Sequence, residues 1–169
     1  LSSLHMEECR ELPLLFYAYR RRLVGNVSAH SHGGCELIYL LRGSCRVEGP
    51  LGVLAGRSGQ LLVIPPETVH NQIDSPDEKN IFCVFQAQPG LFEQRWRTID
   101  LAGEAWCRRW LLELSSMTER NDFEGANAIL LGLLLRLSAF EKKRAAAEHL
   151  HPGLRKALAF IYNNFSRRI

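Results

Sequence analysis

The chain has 169 residues, 46% of them hydrophobic, with 21 Lys and Arg against 18 Asp and Glu. That is enough apolar material for a buried core, and the length favours one compact domain with an appendage. No run of eighteen or more apolar residues occurs; the most apolar stretch, Ala128 to Leu135, is short and closed by Arg136, which argues against a membrane span. The start, Leu-Ser-Ser-Leu-His-Met, has neither a basic head nor a long apolar middle, so no secretory leader is expected. Five cysteines (Cys9, Cys35, Cys45, Cys83, Cys107) are scattered without a C-x-x-C pair. This argues against a disulfide framework or a thiolate zinc site and for a reducing cytoplasm, with each thiol a small apolar filler.

In chain order, short apolar runs come first: Leu14–Tyr19, Glu36–Leu41, Cys45–Glu48, Leu61–Ile64 and Ile81–Phe85, separated by Gly, Pro, Asn and Asp. Such spacing predicts an all-β sandwich or barrel over residues 1–100. Arg42-Gly43-Ser44 reads as a tight turn that makes Glu36–Glu48 a hairpin. In Leu37–Leu41 and Ile81–Phe85 both strand faces are apolar, so the sheet should be covered outside as well as filled inside. The aromatics Tyr17, Tyr39, Phe82 and Phe85 fit core better than pocket lining.

After residue 100 the period changes to about 3.6. Ala105–Met117 reads as a helix with Trp106, Trp110, Leu111 and Leu114 on one face. Asp122 is a candidate N-cap for a second helix reaching about Glu148. Within it Phe123, Leu130 and Leu137 recur every seven residues, as do Ala126, Leu133 and Phe140, a short a/d seam. We expect residues 101–150 to dimerise the protein through Phe123, Leu130, Leu133, Leu137 and Phe140, the alternative being a helix buried in its own domain. Pro152 opens a third amphipathic helix with Leu154, Leu158, Ile161, Tyr162 and Phe165 on one side. Charge divides along the same line: residues 1–100 carry 10 basic against 11 acidic groups, and residues 101–169 carry 11 against 7. A basic tail suits either an approach to nucleic acid or a solvated helix face.

Four residues in the β region carry chemistry: His30, His32, Glu36 and His70. His30 and His32 are two apart and would share one side of a strand, while Glu36 opens the next run. His70 follows the rigid corner Pro65-Pro66. Three imidazoles and a carboxylate can hold one divalent metal, such as zinc, nickel, manganese or iron, with positions left for water or ligand. They can equally hydrogen-bond one another in a polar network. Arg20-Arg21-Arg22 and Arg42 could meet an anionic ligand or simply be solvated.

Gly25…His30-Ser-His32-Gly-Gly-Cys-Glu36…Gly43 resembles the first cupin motif, and Gly59…Pro65-Pro66-Glu67-Thr68-Val69-His70 resembles the second. With Glu36-Leu-Ile-Tyr-Leu-Leu-Arg-Gly and Gly59-Gln-Leu-Leu-Val-Ile-Pro-Pro, the pattern is similar to the N-terminal domain of AraC-type regulators, the arabinose-regulator family. The resemblance implies a mainly β, double-stranded β-helix (jelly-roll) barrel of the cupin type followed by two or three C-terminal helices. It further implies a small-molecule effector bound near His30, His32, Glu36, His70 and Tyr39, and a homodimer formed by the helices. Residues 151–169 resemble the first helix of a helix-turn-helix DNA-binding domain, so this stretch alone should bind DNA weakly or not at all. The pattern departs from the cupin motifs at three places: a Gly25–His30 spacing one residue short, Glu67 where a Gly is common, and Asp74 where Asn often stands. A freestanding metal-dependent cupin enzyme, a dioxygenase or isomerase, is the competing expectation, although Tyr39 alternates away from Glu36 and no further general acid or base is evident.

Overall fold

A computed structural model describes residues 12–21 and 25–148, together with positions 153, 156 and 160, which are helical. The third predicted helix and Cys9 otherwise lie outside the described residues. In chain order come β1 (Leu14–Arg20), β2 (Val27–His30), β3 (Cys35–Arg42), β4 (Ser44–Gly49), β5 (Gly52–Arg57), β6 (Gln60–Ile64), β7 (His70–Asp74), β8 (Lys79–Gln86) and β9 (Arg97–Asp100), then α1 (Ala105–Glu119) and α2 (Phe123–Glu148). All strand pairs are antiparallel, in a five-stranded sheet ordered β1-β8-β3-β6-β9 and a four-stranded sheet ordered β2-β7-β4-β5. Successive strands from β3 to β8 repeatedly change sheet, which is the jelly-roll, cupin-type barrel.

That topology corrects the expected hairpin. β3 pairs with β6 and β8, whereas β4 pairs with β5 and β7, so Gly43 is a corner where the chain leaves one sheet for the other. Gly43 has φ +71°, and a Cβ there would meet Ser75 Oγ at 2.6 Å and Glu78 Cα at 2.8 Å. The true hairpin is β4–β5, turned at Pro50-Leu51 between the paired Gly49 and Gly52. Four strands, β2, β5, β7 and β9, lie outside the five apolar runs of the sequence.

The double apolar character of β3 and β8 is explained by two cores. Ile38, Leu40, Val47, Leu62 and Ile64 fill the barrel. Leu37, Tyr39, Ile81, Cys83 and Phe85 point the other way, onto α1 and α2. Tyr39, expected in the effector pocket, therefore lies in the helix-facing core at 6% exposure, because three residues of strand separate it from Glu36 and side chains alternate. Cys35, Cys45, Cys83 and Cys107 are buried free thiols, as expected for apolar fillers.

Both helices form where the period places them. Asp122 caps α2, its Oδ1 accepting the Gly125 N–H at 2.9 Å. The α2 face carrying Ala126, Leu130, Leu133, Leu134 and Leu137 is fully buried against the protein's own core. Three residues expected at a dimer seam, Leu130, Leu133 and Leu137, thus have no surface to offer a partner; Phe140 packs partly on the same core, and Phe123 stays 42% exposed. The heptad is real, but it reports packing on the barrel. By length and composition α2 is also apolar enough to cross a membrane, with an 18-residue window of mean hydropathy 1.4, contrary to the reading of Ala128–Leu135 as too short. In the fold, one side of this helix is instead core.

Glu67 adopts φ +56°, which accounts for the glycine common at this point of the motif. A side chain there carries a left-handed strain of about 1–2 kcal/mol. Glu67→Gly is expected to raise the stability in urea unfolding by about 1 kcal/mol; equal or lower stability would show that the Glu67 side chain repays its own strain.

Candidate functional site

The barrel's mouth gathers His30, His32, Glu36 and His70, with one ligand atom from each lying within 4.8 Å of all the others. Strand pairing does most of this. His30 of β2 stands directly opposite His70 of β7, so their rings meet at 4.4 Å between centroids. Glu36, at the start of β3, points inward. β2 ends at His30, and His32 sits in the turn that follows, where the Glu67 N–H donates to its carbonyl at 2.9 Å. His32 Nε2 and His70 Nε2 approach the same carboxylate oxygen, Glu36 Oε2, at 3.2 and 3.1 Å.

The other ring nitrogens fix the chemistry. His30 Nδ1 lies 3.0 Å from Ser28 O, His32 Nδ1 2.8 Å from Gly34 O, and His70 Nδ1 2.8 Å from Thr68 O. A carbonyl only accepts, so each Nδ1 donates its proton backwards and each ring presents its Nε2 edge to the centre. Lone pairs facing a carboxylate oxygen at about 3 Å need a positive centre between them, either protons on the Nε2 atoms or a metal ion. Backbone carbonyls behind ring nitrogens are also the support that metal-binding histidines commonly have. The residues present therefore fit a divalent cation.

A cavity of about 200 Å³ opens beside the cluster, with His30, Glu36 and His70 on one side and Tyr17, Phe82, Val27, Gln72 and Arg21 around the rest. The model of the AraC-like ligand binding domain matches residues 14–134, a span that takes in the barrel, α1 and the first part of α2. The chain belongs to this family. No curated protein matches it. Among solved structures it is similar to a cupin-2 domain protein from Shewanella frigidimarina (15% identity, 42% of this chain and 67% of that one, TM-score 0.35). It is also similar to the protein NMB1881 from Neisseria meningitidis (17%, 44% and 83%, TM-score 0.38). An oxalate decarboxylase from Bacillus subtilis shares 21% identity over 41% of this chain but only 20% of its own length, with TM-score 0.35.

In this AraC-like domain the electrostatics of the mouth follow from burial and pairing. Burial opposes ionisation of Glu36, but its hydrogen bonds to His32 and His70 outweigh burial and hold the carboxyl below its ordinary value. The same bond to Glu36 holds His32 above its ordinary value against the opposing effect of burial. Tyr17 is raised by burial first and then by the Glu36 charge, so its hydroxyl stays protonated at the mouth.

Farther into the barrel lies a second polar group missed in the sequence. Asp74, the departure from the usual Asn, has a fully buried side chain 2.8 Å from Arg21 of the Arg20–Arg22 run. Gln72 Nε2 donates to Asp74 Oδ1 at 2.5 Å. Glu78 (2% exposed) lies beyond, its Oε1 without a hydrogen-bond partner among the described residues. Arg42 meets Asp77 on the surface instead, where both are exposed. The signal for this group was an acid at a motif position and an arginine at a strand end, neither informative without the pairing.

Burial, and next the Asp74 charge, push the Glu78 carboxyl up to about 7. Between the ordinary carboxylate range and that value the folded chain holds a proton that the unfolded chain releases. Glu78 therefore contributes stability that is complete at acid pH and is lost as pH rises through about 7. Glu78→Gln should make the unfolding midpoint flatter from pH 5 to 8 and higher than wild type at pH 8; identical pH profiles would refute this account.

Proposed function

We propose that this chain is the effector-sensing portion of an AraC-type transcription regulator. A small molecule enters the barrel beside His30, His32, Glu36 and His70 and binds one arrangement of barrel and helices better than another. DNA is read by a domain outside residues 14–134, whose presentation the helices control, and the regulator works in the cytoplasm, where buried free thiols such as Cys35 and Cys83 persist. The observation that carries this reading is the continuity of the polar mouth with a cavity of about 200 Å³ in a chain of this family.

The mouth holds one divalent ion, zinc, nickel, manganese or iron, through His30, His32, Glu36 and His70. Such an ion would supply a positive, oxygen-seeking centre for the effector. Metal analysis of protein incubated with zinc or nickel and then desalted should give about one ion per chain. His32→Ala and His70→Ala should each remove it, and an unchanged metal content in both variants would reject the site.

The dimer forms on the free side of α2. Ala128, Leu135 and Ala139 are exposed, spaced as one stripe opposite the buried face. Small residues there allow a second copy of the helix to approach closely. Leu135→Glu is expected to convert a dimer to a monomer in sedimentation without lowering the unfolding temperature, whereas a charge at Leu130 would unfold the chain. An unchanged dimer with Leu135→Glu would reject this surface.

The complete donor set also favours a second reading, a metal-dependent cupin enzyme of dioxygenase or isomerase type. Against it, Tyr17 is held protonated beside Glu36, which makes it a poor base near neutral pH. Turnover of a small substrate by the metal-loaded protein would favour this second reading over the first.

A further inference from the structure

The cavity has two chemically different ends. On β7, His70, Gln72 and Asp74 alternate onto one face, so the strand carries the mouth residue, a mid-cavity amide and the buried acid in a row. Two residues of strand separate His70 from Gln72 by about 7 Å. The mouth end requires a positive centre. The far end does not: Arg21 is already neutralised by Asp74, its guanidinium also donates to Gly25 O, and Glu78 stands behind Asp74. A carboxylate placed there would face two buried acids across a single arginine. A hydroxyl suits it, since it can accept from the Arg21 guanidinium and donate to Gln72 Oε1.

Between the two ends the wall is apolar. Tyr17 and Phe82 meet edge to face, with centroids 6.1 Å apart and planes at 74°, and Val27 lies opposite Gln72 in the β2–β7 pair. Two rings set nearly at right angles make a corner into which a flat ring packs against one face and one edge. At about 200 Å³ the cavity is smaller than the ~300–1,000 Å³ usual for drug-sized ligands, so the ligand is small.

We infer that the effector is a small aromatic acid with a hydroxyl para to its carboxylate. The carboxylate sits at the His/Glu mouth, the ring lies in the Tyr17–Phe82 corner, and the hydroxyl meets Gln72 and Arg21. A para-substituted benzene ring has about the length that the strand spacing requires. Gln72 and Arg21 are then the residues that set specificity. This inference rests on the reading of the barrel as an effector pocket.

The test is calorimetric titration of the purified full chain, metal-loaded and metal-free, with 4-hydroxybenzoate, 3-hydroxybenzoate, benzoate and a neutral sugar such as glucose. 4-Hydroxybenzoate should bind tightest, with benzoate and the meta isomer weaker by about tenfold, because each forgoes the hydrogen bonds to Gln72 and Arg21. Gln72→Leu, close in volume, should close the gap between 4-hydroxybenzoate and benzoate when both are measured on that variant. Equal affinities for the hydroxylated and plain acids in the wild-type protein would overturn the inference, and this arm needs no variant to fold. If instead the sugar or another compound binds, and Val27→Trp blocks it, the pocket reading stands and the aromatic-acid inference falls. No binding by any compound in a broad small-molecule screen would count against both.

Discussion

The central strands of the larger sheet, β3 and β8, carry apolar side chains on both faces, and a sheet of this kind is stable only between two layers. One layer is the barrel interior, closed by the smaller sheet. The other is the helical pair, whose Leu111, Leu114, Leu130, Leu133 and Leu137 are fully buried against the outer face. Fully burying a leucine is worth about 1.5–3 kcal/mol, so this contact ties the helices to the barrel as part of one core. The helices and the outer face of the barrel therefore share one packed layer. A bidentate pair reinforces the coupling at the far edge, where Arg97 of β9 donates to both oxygens of Glu141 at 2.8 and 2.7 Å.

The smaller sheet is free to be polar because it is not asked to bury both faces. β2 and β7 supply Val27, His30, His70 and Gln72 to the cavity, and neither strand has the apolar alternation that would mark it in the sequence. The two polar groups in the barrel differ in how their charge is balanced. At the mouth, three imidazoles back their Nδ1 atoms onto carbonyls and two set Nε2 beside the Glu36 carboxylate, a set that fits a divalent cation. Deeper in, Arg21 and Asp74 balance each other, and Glu78 Oε1 has no hydrogen-bond partner among the described residues.

Much of this was legible from the residues. The runs at β1, β3, β4, β6 and β8 declared themselves because their side chains are the core. The four mouth residues were found because imidazoles and a carboxylate at motif spacing are unusual in a barrel wall. What stayed hidden has a common physical cause, namely pairing between distant segments. Gly43 looks like a hairpin turn, and only the register shows it to be a corner between sheets. The Leu130–Leu137 heptad looks the same whether it meets a second copy or the protein's own sheet. Tyr39 sits one strand face away from the pocket, a parity that the strand's own alternation already contained. Arg21 and Asp74 are distant in sequence, and their contact appears only once β1 and β7 close on the same barrel.

Sensing in this barrel depends, as proposed, on a cation at the mouth that faces the ligand cavity. Anomalous diffraction from crystals grown with nickel addresses it most directly. One peak is predicted at about 2.0–2.2 Å from Nε2 of His30, His32 and His70 and from a Glu36 carboxylate oxygen, with an open side toward the cavity. Nickel bound only elsewhere, with His32 and His70 still hydrogen-bonded directly to Glu36, would contradict it and leave the mouth a closed polar network.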